Sequence, residues 1–132
     1  MSQREDASSG IEAYEAFQEG SRLLAGANPH AAAVALERAR DHEPDKGSVR
    51  EALGRAYFSS GRFTEAGAEF ERAIELDPVN DYAHFGLGLA RRRMGDDVGA
   101  RRHLKLAVAM RPLEEYREAL AKISDAPISD AP

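Results

Sequence analysis

Four histidines, His30, His42, His84 and His103, are the first candidates for chemistry in this chain. None belongs to a His-Glu-x-x-His pair, the spacing that sets two imidazoles on one helical face around zinc. There is no cysteine, which removes disulfides, thiol nucleophiles and thiolate-bound zinc. Gly86-Leu87-Gly88 has the start of a phosphate loop, but Arg91 stands where a third glycine belongs and no strand-like run precedes it. No serine, histidine and acid assemble into a nucleophilic set. No catalytic centre, cofactor or metal is therefore expected. Arg91-Arg92-Arg93, Arg101-Arg102 and Lys105 could neutralise phosphates. That run holds no aromatic residue to stack on bases, so a solvated surface balancing nearby acids is the simpler reading.

Composition narrows the class further. A chain of 132 residues fits one ordinary domain. Its formal charge of −5 and pI near 5.4 argue against a general nucleic-acid binder. The charge is uneven: Arg91 to Arg111 holds seven basic residues against two acids, a local +5, so the remainder carries −10. MSQREDASSG has no apolar run to act as a signal peptide. No stretch approaches the roughly 18 apolar residues of a membrane span. A cytoplasmic location is expected, and the excess of arginine over lysine with abundant alanine hints at a high-GC bacterial source.

The elements that must position any site follow from periodicity. Residues 1–9 are polar and small, and are expected to be disordered. Ser9 and Glu12 fit a capping box that starts a helix near Gly10, with Ile11, Tyr14, Phe17, Leu23 and Leu24 as its apolar positions. Asn28-Pro29 starts a second helix carrying Ala32, Leu36 and Ala39, and Pro44 ends it. Gly61 and Gly95-Asp96 mark the turns of two further helix pairs. Leu113, Tyr116, Leu120 and Ile123 then give a seventh helix, and DAPISDAP reads as a disordered tail at 125–132.

These elements recur. Gly20, Gly54 and Gly88 lie 34 residues apart, as do Ala32, Ala66 and Ala100, then Ala39, Ala73 and Ala107, then Pro44, Pro78 and Pro112. Within Arg50–Pro78 the order is Leu53, Gly54, Tyr57, Ala66, Phe70, Ala73, Pro78. This pattern resembles the tetratricopeptide repeat. The resemblance implies an all-α, right-handed superhelical solenoid of three helix-turn-helix repeats at about 13–46, 47–80 and 81–114, closed by a capping helix at about 113–124. The domain would span 10–124. The first repeat departs most, with Glu19 for Leu, Leu23 for Tyr, and Arg40 and His42 where the second repeat has Ile74 and Leu76.

The resemblance also implies a site. In this family ligand contacts come from first-helix positions on the concave side, which here are Tyr14, Phe17, Ser21, Leu24, Ser48, Glu51, Arg55, Phe58, Tyr82, Phe85, Leu89 and Arg92, with Arg93 adjacent. The expected contacts are Phe17, Leu24, Arg55, Phe58, Tyr82, Phe85, Leu89, Arg92 and Arg93. An apolar groove with three arginines suits an acidic peptide or helix with apolar anchors. Family members that grip the C-terminal carboxylates of heat-shock chaperones use Lys, Asn and Arg at positions that are Phe17, Ser21, Ala52, Tyr82 and Gly86 here, so that clamp is not expected. The resemblance thus implies a non-catalytic interaction module, an adaptor or assembly scaffold. Self-association into a homo-oligomer is the alternative, with nucleic-acid binding through the third repeat ranked last. A further open reading leaves the groove aromatics as ordinary packing residues.

Overall fold

The computed structural model describes residues 2–125, with side chains from 9 to 123. The described residues hold seven helices: α1 (Ser2–Ala25), α2 (Pro29–His42), α3 (Gly47–Ser59), α4 (Phe63–Leu76), α5 (Asp81–Arg93), α6 (Asp97–Met110) and α7 (Glu114–Asp125). Their boundaries are set by local chemistry. The side chains of Asn28, Asn80 and Asp96 accept hydrogen bonds from the amides of Ala31, Ala83 and Gly99, which would otherwise be unpaired at the helix starts. The two helices of a pair are joined by a residue in the left-handed region, Gly61 (φ 79°) and Gly95 (φ 84°) in the later pairs. Ala27 (φ 58°) occupies the same column in the first pair, against the steric preference of its Cβ.

The start of α1 differs from expectation. The helix begins at Ser2, not near Gly10, so residues 2–9 are helical where disorder was anticipated. Gln3, Arg4, Glu5 and Ala7 are good helix formers, and Ser8, Ser9 and Gly10 lower propensity without breaking the hydrogen-bond ladder. Ser9 does not act as the cap; its hydroxyl bonds His42 Nδ1 at 2.9 Å. The expected tail beyond α7 lies outside the described residues, apart from Asp125, which closes the helix.

Close packing within each pair rests on one repeated device. A Cβ on Gly20 would lie 2.5 Å from Leu36 Cγ, on Gly54 2.9 Å from the Phe70 ring, and on Gly88 2.7 Å from Leu104 Cγ. Leu36, Phe70 and Leu104 are themselves spaced by 34 residues, and all three are buried. Phe70 is confined from a second side, because a Cβ on Gly86 would lie 2.5 Å from its Cζ. The small residues therefore let each second helix seat one large side chain on the first helix of its own pair, and Phe70 on the next pair as well.

One core cluster runs through α2 to α5 around Leu36, Leu53, Tyr57, Phe70 and Leu87. A second joins α5, α6 and α7 around Phe85, Leu104, Tyr116 and Ile123, and Tyr82 packs against both. The first helices of successive pairs touch directly, α1 with α3 and α3 with α5, while α2, α4 and α6 make at most marginal contact with one another. Neighbours on the inside of a curve lie closer, so α1, α3 and α5 form the concave layer.

Polar ties replace apolar contacts where the first repeat departs from the pattern. Arg40 Nη1 and Arg50 Nη1 donate to opposite oxygens of Glu69, at 2.8 and 2.9 Å, and Glu69 is only 6% exposed. His42 Nε2 meets Glu12 at 3.0 Å. The Tyr57 hydroxyl donates to Glu37 at 2.6 Å; burial and then this bond push its pKa up to about 12.

Candidate functional site

Two adjoining hollows open on the concave side of α3 and α5. The larger, about 600 Å³, lies between Phe58, Phe85, Leu89, Arg92 and Arg93 and the α7 residues Glu115, Glu118, Ala119 and Lys122. The smaller, about 180 Å³, is bounded by Arg55, Phe58, Ser59, Phe70, Tyr82, Gly86 and Leu89. Phe58 and Leu89 border both hollows, so the two form one groove. Gly86 gives the smaller hollow its depth, since the absence of a side chain there leaves the Phe70 ring as the floor.

The groove combines an apolar base with held cations. Phe58 sits edge-on to Phe63 at 5.0 Å between ring centroids, and Tyr82 lies 6.4 Å from Phe70 and 5.9 Å from Phe85. The Arg93 guanidinium lies over Phe63 at 5.2 Å and Phe58 at 5.9 Å, and that of Arg55 lies 5.6 Å from the Tyr82 centroid. An arginine on an aromatic face loses less side-chain freedom when an anion arrives, and it keeps its donors available. Among the described residues none of Arg55, Arg92 and Arg93 is ion-paired to a carboxylate. The acids on the facing rim, Glu115 and Glu118, belong to α7.

Seven of the nine expected contacts come together in this groove: Arg55, Phe58, Tyr82, Phe85, Leu89, Arg92 and Arg93. Phe85 is only 5% exposed and stacks on Tyr116 at 4.6 Å, so most of it belongs to the second core and only an edge reaches the groove. Phe17 and Leu24 border neither hollow. Both are half-buried against the first core cluster; for Phe17 this is the packing role left open for the groove aromatics.

The α7 wall is not among the expected contacts, since the resemblance implies only a capping helix there. Extending the groove columns by one more period lands on Tyr116, Ala119 and Ile123, and these are buried against Phe85 and α6. Their inward turn brings Glu115, Glu118 and Lys122 to the groove rim. The Tyr116 hydroxyl donates to Asp81 at 2.7 Å and fixes α7 to the start of α5; burial and this bond push its pKa up.

Other candidates resolve differently. His84 is buried, and its Nε2–H donates to the Pro78 carbonyl at 3.0 Å, leaving Nδ1 to accept from His103 Nδ1 at 3.2 Å. The two rings stack at 5.4 Å. Burial first, and then the neighbouring His84, Arg102 and Arg91, push the His103 pKa down. The basic run divides: Arg91 pairs with Glu71 and Asp96, Arg92 and Arg93 face the groove, and Arg101, Arg102 and Lys105 lie on the outer side of α6. Balance by nearby acids therefore describes Arg91 alone in that run.

Comparison with known proteins agrees with this architecture. A family model described as TPR repeat matches residues 54–95. Cellulose synthase operon protein C of Komagataeibacter xylinus is 36% identical over 80 residues, which is 59% of this chain and 6% of that protein. The chain thus spans only about 6% of the length of that curated relative. The second TPR domain of human RPAP3, solved in complex with the HSP70 peptide SGPTIEEVD, superposes with a TM-score of 0.84 at 18% identity, covering 89% of this chain and 99% of that one. The Sgt2 TPR domain from Aspergillus fumigatus gives 0.80 at 23% identity, covering 86% and 77%. The 34-residue columns, the family model over residues 54–95 and these folds together identify a tetratricopeptide-repeat fold.

Proposed function

We propose that this chain is a non-catalytic protein-interaction module, an adaptor or assembly scaffold, that holds an acidic segment of a partner in the groove between α3, α5 and α7. The observation that carries this reading is the continuity of the two hollows, an apolar base of Phe58, Tyr82 and Leu89 beside three arginines that meet no carboxylate among the described residues. An apolar side chain seated in the smaller hollow would contribute roughly 1.5–3 kcal/mol when fully buried. Acidic groups beside it would meet Arg92 and Arg93, and desolvation at the groove base would strengthen those charge-assisted bonds. The peptide bound to the RPAP3 domain has this composition, with Ile and Val beside three acids. The mode of capture here is different, because Phe17, Ser21, Ala52, Tyr82 and Gly86 offer no carboxylate clamp and the cations stand at Arg55, Arg92 and Arg93.

Selection from a random peptide display library tests this directly. The reading expects enriched sequences that join Asp or Glu to Leu, Ile, Val or Phe. These should be retained by the wild type and lost by Arg92→Glu/Arg93→Glu, both exposed positions whose exchange leaves the core intact. Enrichment of basic or featureless peptides, or equal retention by the variant, would overturn it.

A further inference from the structure

The outer face of α6 differs from every other surface of the described chain. It presents Val98 (77% exposed), Leu106 and Met110, with Arg101, Arg102 and Lys105 between them. A shallow hollow of about 620 Å³ follows this stripe from Val98 to Ala109. No Asp or Glu occurs from Val98 to Pro112. Among the described residues none of these three cations meets a carboxylate, whereas of the arginines and lysines from Arg38 to Arg91 all but Arg55 do. Uncompensated positive charge interleaved with exposed apolar groups is a surface built to meet a negative, partly apolar one.

The opposite end of the repeat array supplies that complement. The outer side of α1 exposes Ile11 (59%) beside Glu15, with Tyr14 (58%) on its flank and Gln18 bonded to the Tyr14 hydroxyl at 2.7 Å; Glu12 turns toward α2, where it meets His42. Arg22, one further turn on, is the only cation along that edge of the helix among the described side chains. Five of the eight large apolar side chains exposed among the described residues lie on these two faces. α1 belongs to the first helix pair and α6 to the third, so a single copy cannot bring them together.

We infer that the outer face of α6 docks against the outer face of α1 of a second copy of this chain, in a head-to-tail arrangement. Other occupants fit less well. The α6 face has no aromatic side chain for stacking on nucleic-acid bases. A lipid surface would meet few apolar groups, none of them Trp or Phe, and would repel the −10 carried by the rest of the chain. The contact joins two different faces, so it leads to rings or open chains and not to a closed two-fold dimer. One helix laid on another covers less than the roughly 1,200–2,000 Å² of a stable interface, so association is weak and sensitive to salt. This inference is independent of the groove.

Sedimentation velocity on the full chain, from about 10 to about 500 µM, reads the association. Wild type should rise above its 14.4 kDa monomer mass with concentration and fall back when salt is raised from about 50 mM to about 500 mM. Arg101→Glu/Arg102→Glu/Lys105→Glu should remain monomeric, and so should Ile11→Arg/Glu15→Arg, with circular dichroism confirming that both fold. Mixing these two variants should restore association, because each now carries the charge that the other face needs. A wild type that stays monomeric throughout, variants that associate as it does, or a mixture that fails to associate would overturn the inference. So would a monomeric wild type that binds phosphatidylserine vesicles through α6, which would assign that face to a lipid surface.

Discussion

Gly86→Ala offers the sharpest check on how the repeats are packed. Helix propensity alone favours the change, since alanine in a helix interior gains about 1 kcal/mol over glycine. The structure opposes it. The new Cβ would lie 2.5 Å from Phe70 Cζ, well inside the ~3.5–4.0 Å of an ordinary carbon contact. Phe70 is 1% exposed and already rests against Gly54, where a Cβ would stand 2.9 Å away, so the ring has nowhere to retreat. Overpacking of this kind costs about 1–3 kcal/mol, and more where the neighbour is locked on both sides. Steric cost should therefore win, with a net loss of about 1–2 kcal/mol, or roughly 4–7 °C in midpoint for a chain of this size. Equilibrium urea denaturation followed by circular dichroism measures it. The second arm is Gly86→Ala/Phe70→Leu, which gives the second pair the leucine found at Leu36 and Leu104. Phe70→Leu alone should also destabilise, by leaving a cavity. The double variant should be more stable than the sum of the singles predicts, by about 1 kcal/mol or more. A Gly86→Ala protein as stable as wild type, or strictly additive effects, would refute the packing argument.

Three further outcomes follow from individual contacts. Ala27→Gly should stabilise by about 0.5–1 kcal/mol, because Ala27 alone among the pair-closing turns carries a Cβ at positive φ; thermal denaturation reads this, and no gain would remove the strain argument. Glu69→Ala should cost about 2–3 kcal/mol, somewhat below a fully buried pair because Arg40 and Arg50 keep 27% and 17% of their side chains exposed; an effect under ~0.5 kcal/mol in urea denaturation would mean that the arginines find solvent freely. His103 is held below its ordinary value near 6.5 in the folded state, so the unfolded chain takes up its proton first as pH falls. Stability contributed above that value should be lost as pH drops through 6.5 toward the lowered folded pKa, and His103→Gln should flatten the decline between about pH 7.5 and 5.5. Unfolding curves with the same slope in both proteins would contradict this.

Much of the fold was legible because glycine, alanine and proline recur at steric bottlenecks. A residue without a side chain at Gly20, Gly54 and Gly88 has one geometric use, and it shows in sequence as a column. The cap at Asn28 was legible for a similar reason, since its side chain acts within three residues. Contacts that depend on distant partners were not. Arg40 reads as a lapse from an apolar column, yet it meets Glu69 twenty-nine residues away. Phe85 reads as a groove residue until Tyr116 is seen stacked on it. The α7 wall was hidden because its helix reuses the period while turning a different face inward. The start of α1 was misplaced because a capping-box pattern at Ser9 and Glu12 outweighed the helix-forming residues before it.

The groove itself is best tested by following backbone amide shifts while titrating a display-selected acidic peptide into labelled protein. The account predicts that the largest changes fall on residues 55–59, on 82–93 and along 115–122, and that Arg92→Glu/Arg93→Glu abolishes them. Changes concentrated on the outer sides of α4 and α6, with 82–93 unmoved, would contradict it.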